Sequence, residues 1–170
     1  ISKTTSGFIL AAHHYLLNLD YDGNVIWSKK IDSYDILDNS AEIRSVKQDS
    51  QGNIFFVGGR GSSVTEIAQE AVITKLSSTG DIIWEKNFKP SFRNFFNDLI
   101  INSSNELVVL GSTETSGITK QEYVSGSRSE QIDFWVIKLT NEGEIIWESK
   151  FGDGKEDSPN QIISTSDNNF

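Results

Sequence analysis

The sequence predicts an all-β fold built of β-propeller blades, each of four antiparallel strands, with about three blades covered as part of a larger propeller. Three observations predict it. One Leu, one Gly and one Trp recur three times at fixed offsets, a short apolar strand precedes each copy, and turn residues fall at matching places throughout.

The recurring unit is "GNVIWSKKI" at Gly23 to Ile31, "GDIIWEKNF" at Gly80 to Phe88 and "GEIIWESKF" at Gly143 to Phe151. Aligned on tryptophan, the copies give Leu19, Gly23 and Trp27, then Leu76, Gly80 and Trp84, then Leu139, Gly143 and Trp147. The tryptophans are 57 and 63 residues apart, too long a period for leucine-rich or helical arrays.

Each unit reads as four strands, A to D. Strand A is the apolar segment in "SVKQDSQGN" from Ser45, "DLIINSSNE" from Asp98 and "QIISTSDNN" from Gln161, and Ile1 to Thr5 reads as the tail of another. The A–B turns, Gln51-Gly52-Asn53, Ser104-Asn105-Glu106 and Asp167-Asn168-Asn169, hold small polar residues that tolerate positive φ. Strand B is "FILAA", "IFFVG" or "LVVLG", and Phe170 reads as the first residue of a further one. Strand C is "YLLNL", "VITKL" or "WVIKL". The turns "DYDG", "SSTG" and "TNEG" lead into strand D, which carries the tryptophan. The blades run approximately 1–40, 41–95 and 96–157, with a fourth starting over 158–170. Three blades do not close a ring, so the remainder is expected from the same polypeptide or by association.

Each tryptophan is expected to pack one blade on the next, which makes Trp27, Trp84, Trp147, Gly23, Gly80 and Gly143 structural docking residues. At these residues the chain resembles the bacterial β-propeller repeat proteins of cell surfaces. "DFWVIKLTNEGEIIWESKFGDGKEDSPNQIISTSDNNF", Asp133 to Phe170, follows their repeat almost throughout. The Leu, Gly and Trp spacing is also similar to the tryptophan-docking motif of quinoprotein-type propellers. The resemblance implies an extracellular or cell-surface location, associated with a bacterial outer membrane.

Composition narrows the function classes. A hydrophobic share of 36% supports a packed core, and a net charge of −9 with pI near 4.7 argues against nucleic-acid binding. No segment is apolar enough for a transmembrane helix, and no signal sequence opens the chain. The start at Ile1 and the absence of Met predict a mature or excised segment. Without Cys there is neither a disulfide framework nor a thiolate metal site.

No cofactor or metal site is expected. "NLDYDG", Asn18 to Gly23, opens like a calcium loop but has Lys29 at its twelfth position, where a bidentate Glu is needed. Asp153, Glu156 and Asp157 offer oxygens to calcium but read as turn caps. His13 and His14 are neighbours that a strand points to opposite faces. "GGRG", Gly58 to Gly61, lacks the lysine and helix of a phosphate loop.

The B–C and D–A connections share one end of a propeller. The distance from the end of strand B to the strand C leucine grows from 7 residues (Ala12 to Leu19) to 18 (Gly58 to Leu76) to 28 (Gly111 to Leu139). Function is therefore expected on the B–C loops. The segment Gly111 to Asp133, with Glu114, Lys120, Tyr123 and Arg128, is the expected partner-contacting loop. These readings together predict a non-catalytic scaffold or adhesion module that binds protein at a bacterial cell surface, and not an enzyme. The alternative is a carbohydrate-binding propeller module, with Trp135, Tyr123 and Phe92 to Phe96 as exposed stacking faces. A quinoprotein-like enzyme finds no cofactor constellation in the sequence.

Overall fold

A computed structural model describes residues 1–12, 15–31, 42–61, 69–91, 93–115, 131–153 and 155–165. Twelve strands form three four-stranded antiparallel sheets, and the described residues contain no helix. The first sheet is β1 (Ser2–Lys3), β2 (Gly7–Ala12), β3 (Tyr15–Asp20) and β4 (Val25–Lys30). The second is β5 (Glu42–Gln48), β6 (Ile54–Arg60), β7 (Glu70–Leu76) and β8 (Ile82–Phe88). The third is β9 (Asn94–Ile101), β10 (Leu107–Glu114), β11 (Ile132–Leu139) and β12 (Ile145–Phe151). Neighbours in sequence are neighbours in each sheet, the meander expected of a propeller blade.

The β3–β4, β5–β6 and β9–β10 hairpins close by one local device. A side-chain oxygen at the first turn position accepts the backbone N–H groups two and four residues on: Asp20 Oδ1 from Asp22 (2.9 Å) and Asn24 (2.8 Å), Asp49 Oδ1 from Gln51 (2.9 Å) and Asn53 (2.8 Å). Asn102 does the same for Ser104 and Glu106. These short polar side chains mimic a backbone turn and leave the next strand in antiparallel register. The carboxylate of Asp20 in the calcium-like segment is therefore occupied as a turn cap.

Alternation along the strands builds the core. On β6, Ile54 and Phe56 face the first sheet and join Ile9, Leu16 and Val46, while Phe55 and Val57 face the third and join Leu99, Val109 and Ile137. The second sheet is thus buried on both faces, which explains why β6 reads as a continuous apolar run rather than an alternating one. Strands β5 and β9 pack against each other, so the first strands of successive blades line the inside of the array.

Two strand expectations change. Strand β10 runs on to Glu114 and pairs in register with β11 down to Glu114↔Ile132, with Thr115 N donating to Gln131 O at 2.8 Å. Gly111 to Glu114 and Ile132 to Asp133 are therefore strand rather than loop. The segment from Gln161 to Thr165 forms no strand, because no strand among the described residues lies alongside to take up its backbone groups. Asp167-Asn168-Asn169 and Phe170 lie outside the described residues.

Candidate functional site

Of the expected docking residues, Trp27, Gly80, Trp84 and Gly143 occupy the seams between sheets. A Cβ placed on Gly80 would lie 3.4 Å from the Trp27 ring, and one on Gly143 would lie 3.2 Å from Trp84 Cη2. The tryptophan of one sheet thus lies on the turn glycine of the next. Trp27 Nε1 also donates to Ser78 O at 2.9 Å, and Lys29 Nζ donates to Gly80 O at 2.8 Å. A Cβ on Gly23 would meet nothing within 4 Å. Trp147 is half-buried on β12.

A cavity of about 280 Å³ opens at the end of the sheets that carries the D–A connections and B–C loops. Arg44, Asn97 and Asn160 on its wall stand two residues before Val46, Leu99 and Ile162, so they are repeat-equivalent positions of three successive inner segments. Equivalent inner positions of consecutive blades converge on the propeller axis, which places this cavity at the axial mouth. Arg93 and Glu156 also line it. Two guanidinium groups thus reach a lining that also holds the Glu156 carboxylate.

Neighbouring groups hold Arg44 by its side chain and Arg93 by its backbone. Arg44 Cζ lies 4.7 Å above the Phe95 ring centroid, and Arg44 Nη2 donates to Glu42 Oε2 at 3.1 Å. Arg93 precedes Asn94, a fully buried side chain whose amide is saturated: Oδ1 accepts from Thr113 (2.8 Å) and Ser91 (2.9 Å), and Nδ2 donates to Gln69 O (3.0 Å) and Ser91 O (2.8 Å). With Glu114 N donating to Arg93 O at 2.9 Å, the backbone at Arg93 is pinned between the second and third sheets. Below the mouth, Asp98 accepts from Ser45 Oγ (2.6 Å) and from Leu99 and Ile162 N–H groups, tying three inner segments together.

The predicted contact residues fare unevenly. Glu114 is 4% exposed within β10, so it is not a loop residue open to a partner; the B–C hairpin extends past it and buries it. Lys120, Tyr123 and Arg128 lie outside the described residues, as do Phe92, His13 and His14. Trp135 is 1% exposed, stacked on Phe96 at 5.1 Å, with Nε1 donating to Glu148 Oε2 at 3.1 Å, so it offers no glycan-stacking face. It pairs with Gly111, where a Cβ would collide with Phe95 O and Phe96 Cδ1, so the missing side chain lets β9 and Phe96 close in beside the indole. Phe96 is fully buried as well. Asp153 Oδ1 accepts from Lys155 N, and Asp157 N donates to Ile132 O. Gly58 and Gly59 sit inside β6.

Sequence reasoning passed over Arg44, Arg93, Asn97 and Asn160. The repeat alignment on Val46, Leu99 and Ile162 already held the signal, since it sets three polar residues at one inner position.

A family model described as arylsulfotransferase (ASST) matches residues 2–168. No curated protein matches the chain. Among solved structures, a protein of unknown function from Bacteroides caccae is similar, with a TM-score of 0.55 at 10% identity over 98% of this chain and 49% of that one. The chain spans about half the length of that solved protein, and the likeness shows the fold alone. The family match overturns the expectation of a non-catalytic scaffold or adhesion module and of a chain that is no enzyme, because the family is defined by a group-transfer activity. The carbohydrate-binding alternative gains nothing from it.

Proposed function

The chain belongs to the arylsulfotransferase family, and on that premise we propose that its axial mouth binds the sulfuryl group during transfer between aryl oxygens. The convergence of the Arg44 and Arg93 guanidinium groups on one cavity carries this reading. In such a transfer the S–O bond to the donor aryl oxygen breaks and the donor leaves as an aryl oxide, an S–O bond to the acceptor oxygen forms, and the acceptor's hydroxyl proton passes to water or to the departing aryl oxide. The sulfuryl oxygens stay anionic throughout. Guanidinium groups match paired oxyanions geometrically and keep their charge at every working pH. Groups preorganised toward developing charge lower the barrier most. Asn97, Ser112 and Asn160 add neutral polar groups to the same lining.

The three sheets are read as part of a longer propeller, with the catalytic apparatus distributed over the whole ring. The repeat resemblance supports a location outside the cytoplasm, at a bacterial cell surface. Among the described residues no helix is long and apolar enough to cross a membrane.

The test is sulfuryl transfer from 4-nitrophenyl sulfate to phenol, followed by nitrophenolate release. Arg44→Ala and Arg93→Ala are expected to raise the KM for the sulfate ester about tenfold or more each, the effect of losing one charged hydrogen-bonding partner. Transfer that persists unchanged in the double variant would place the site elsewhere.

A further inference from the structure

We propose that Phe95 is a positioning residue for this anion site, holding the Arg44 guanidinium across the cavity mouth; this rests on the sulfuryl-binding reading above. The two residues belong to different sheets, Arg44 to β5 and Phe95 to β9, and both line the cavity. The guanidinium carbon sits 4.7 Å from the ring centroid, within the range of a cation–π contact. A third strand makes the contact possible. A Cβ on Gly59 of β6 would fall inside the van der Waals envelope of Phe95 Cδ1 and Cε1, so the ring takes this position only because residue 59 has no side chain.

Geometry explains why a ring is used here. A guanidinium carbon over a ring face is held by the ring's π electrons, a contact that uses none of the acceptors its N–H donors need and leaves those donors for oxyanions. Its other partner, Glu42, competes for those same donors through an exposed ion pair, which is weak and screened by salt. Phe95 is thus the contact that orients Arg44 without consuming the groups that bind sulfate.

The experiment is a calorimetric titration of inorganic sulfate into the chain and its variants. Phe95→Leu is expected to weaken binding about two- to fivefold, the worth of an exposed cation–π contact, and Phe95→Trp to retain it. In an Arg44→Ala background Phe95→Leu should change nothing further, a result that a purely structural role would not give. A ring-current shift of the Arg44 guanidinium resonances in the unaltered chain reports the stacking without any substitution, should Phe95→Leu fail to fold. Equal losses in both backgrounds, or no ring-current shift, would overturn the proposal. Sulfate binding that Arg44→Ala weakens and Phe95→Leu leaves intact would overturn it alone, whereas no sulfate binding by the unaltered chain would remove the anion site with it.

Discussion

The Trp27 indole rests on Gly80: a Cβ on that glycine would stand 3.4 Å from three ring atoms, in a turn where φ is +88°. Gly23, at the equivalent turn of the first sheet, has φ of +86° and nothing within 4 Å. Alanine at either site takes on the left-handed backbone at a cost of about 1 kcal/mol. At Gly80 it must also displace the indole from its seat. Gly80→Ala is expected to cost about 2–3 kcal/mol in urea unfolding against about 1 for Gly23→Ala, the excess reflecting disturbed packing. Equal costs would mean that the Trp27 contact contributes nothing.

Asp98 is 8% exposed and accepts hydrogen bonds from Ser45 on the second sheet and from the Ile162 N–H beyond the third. Asp98→Ala strands these donors and is expected to destabilise by about 2–4 kcal/mol. Ser45→Ala should cost about 1 kcal/mol alone and markedly less once Asp98 is gone. Strict additivity in that cycle would show the two side chains to be energetically separate.

Asp49 links sheets through its carboxylate, which accepts from Asn53 and, at 3.2 Å, from Asn141 of the third sheet. Burial pushes its pKa up, but side-chain hydrogen bonds from Asn53 and Asn141 and the N–H groups of Asn53 and Gln51 outweigh it, and the net position is below the ordinary 3.8. A folded pKa lower than the unfolded one gives stability that is fully present above the unfolded value and lost as pH falls through the folded one. Unfolding midpoints should therefore fall as pH drops below about 4. Asp49→Asn should flatten that part of the profile; an unchanged slope would assign the acid sensitivity to other carboxylates.

Trp135 lies in the core between Phe88 and Phe96 rather than on the surface. Trp135→Ala is expected to cost about 3–5 kcal/mol and Trp135→Phe considerably less. A cost near zero for Trp135→Ala would contradict its burial.

Repetition made the blades legible. Leu, Gly and Trp at constant offsets, with turn residues at constant places, determined by themselves that β2 to β12 would be strands joined as antiparallel hairpins within each sheet, because turn chemistry and two-residue alternation are local. Which B–C residues would remain strand was not local. Glu114 and Thr115 extend the hairpin because Ile132 and Gln131 arrive opposite them, and Trp135 is enclosed because Phe88 of the second sheet and Phe96 of β9 meet around it. The segment at Gln161 has the pattern of a strand, but a ladder needs a neighbour. Convergence of Arg44, Arg93 and Phe95 was the least legible of all. Arg44 and Phe95 stand 51 residues apart on different sheets, and only the stacking of blades, with Gly59 leaving room for the Phe95 ring, brings a guanidinium over a ring at the mouth.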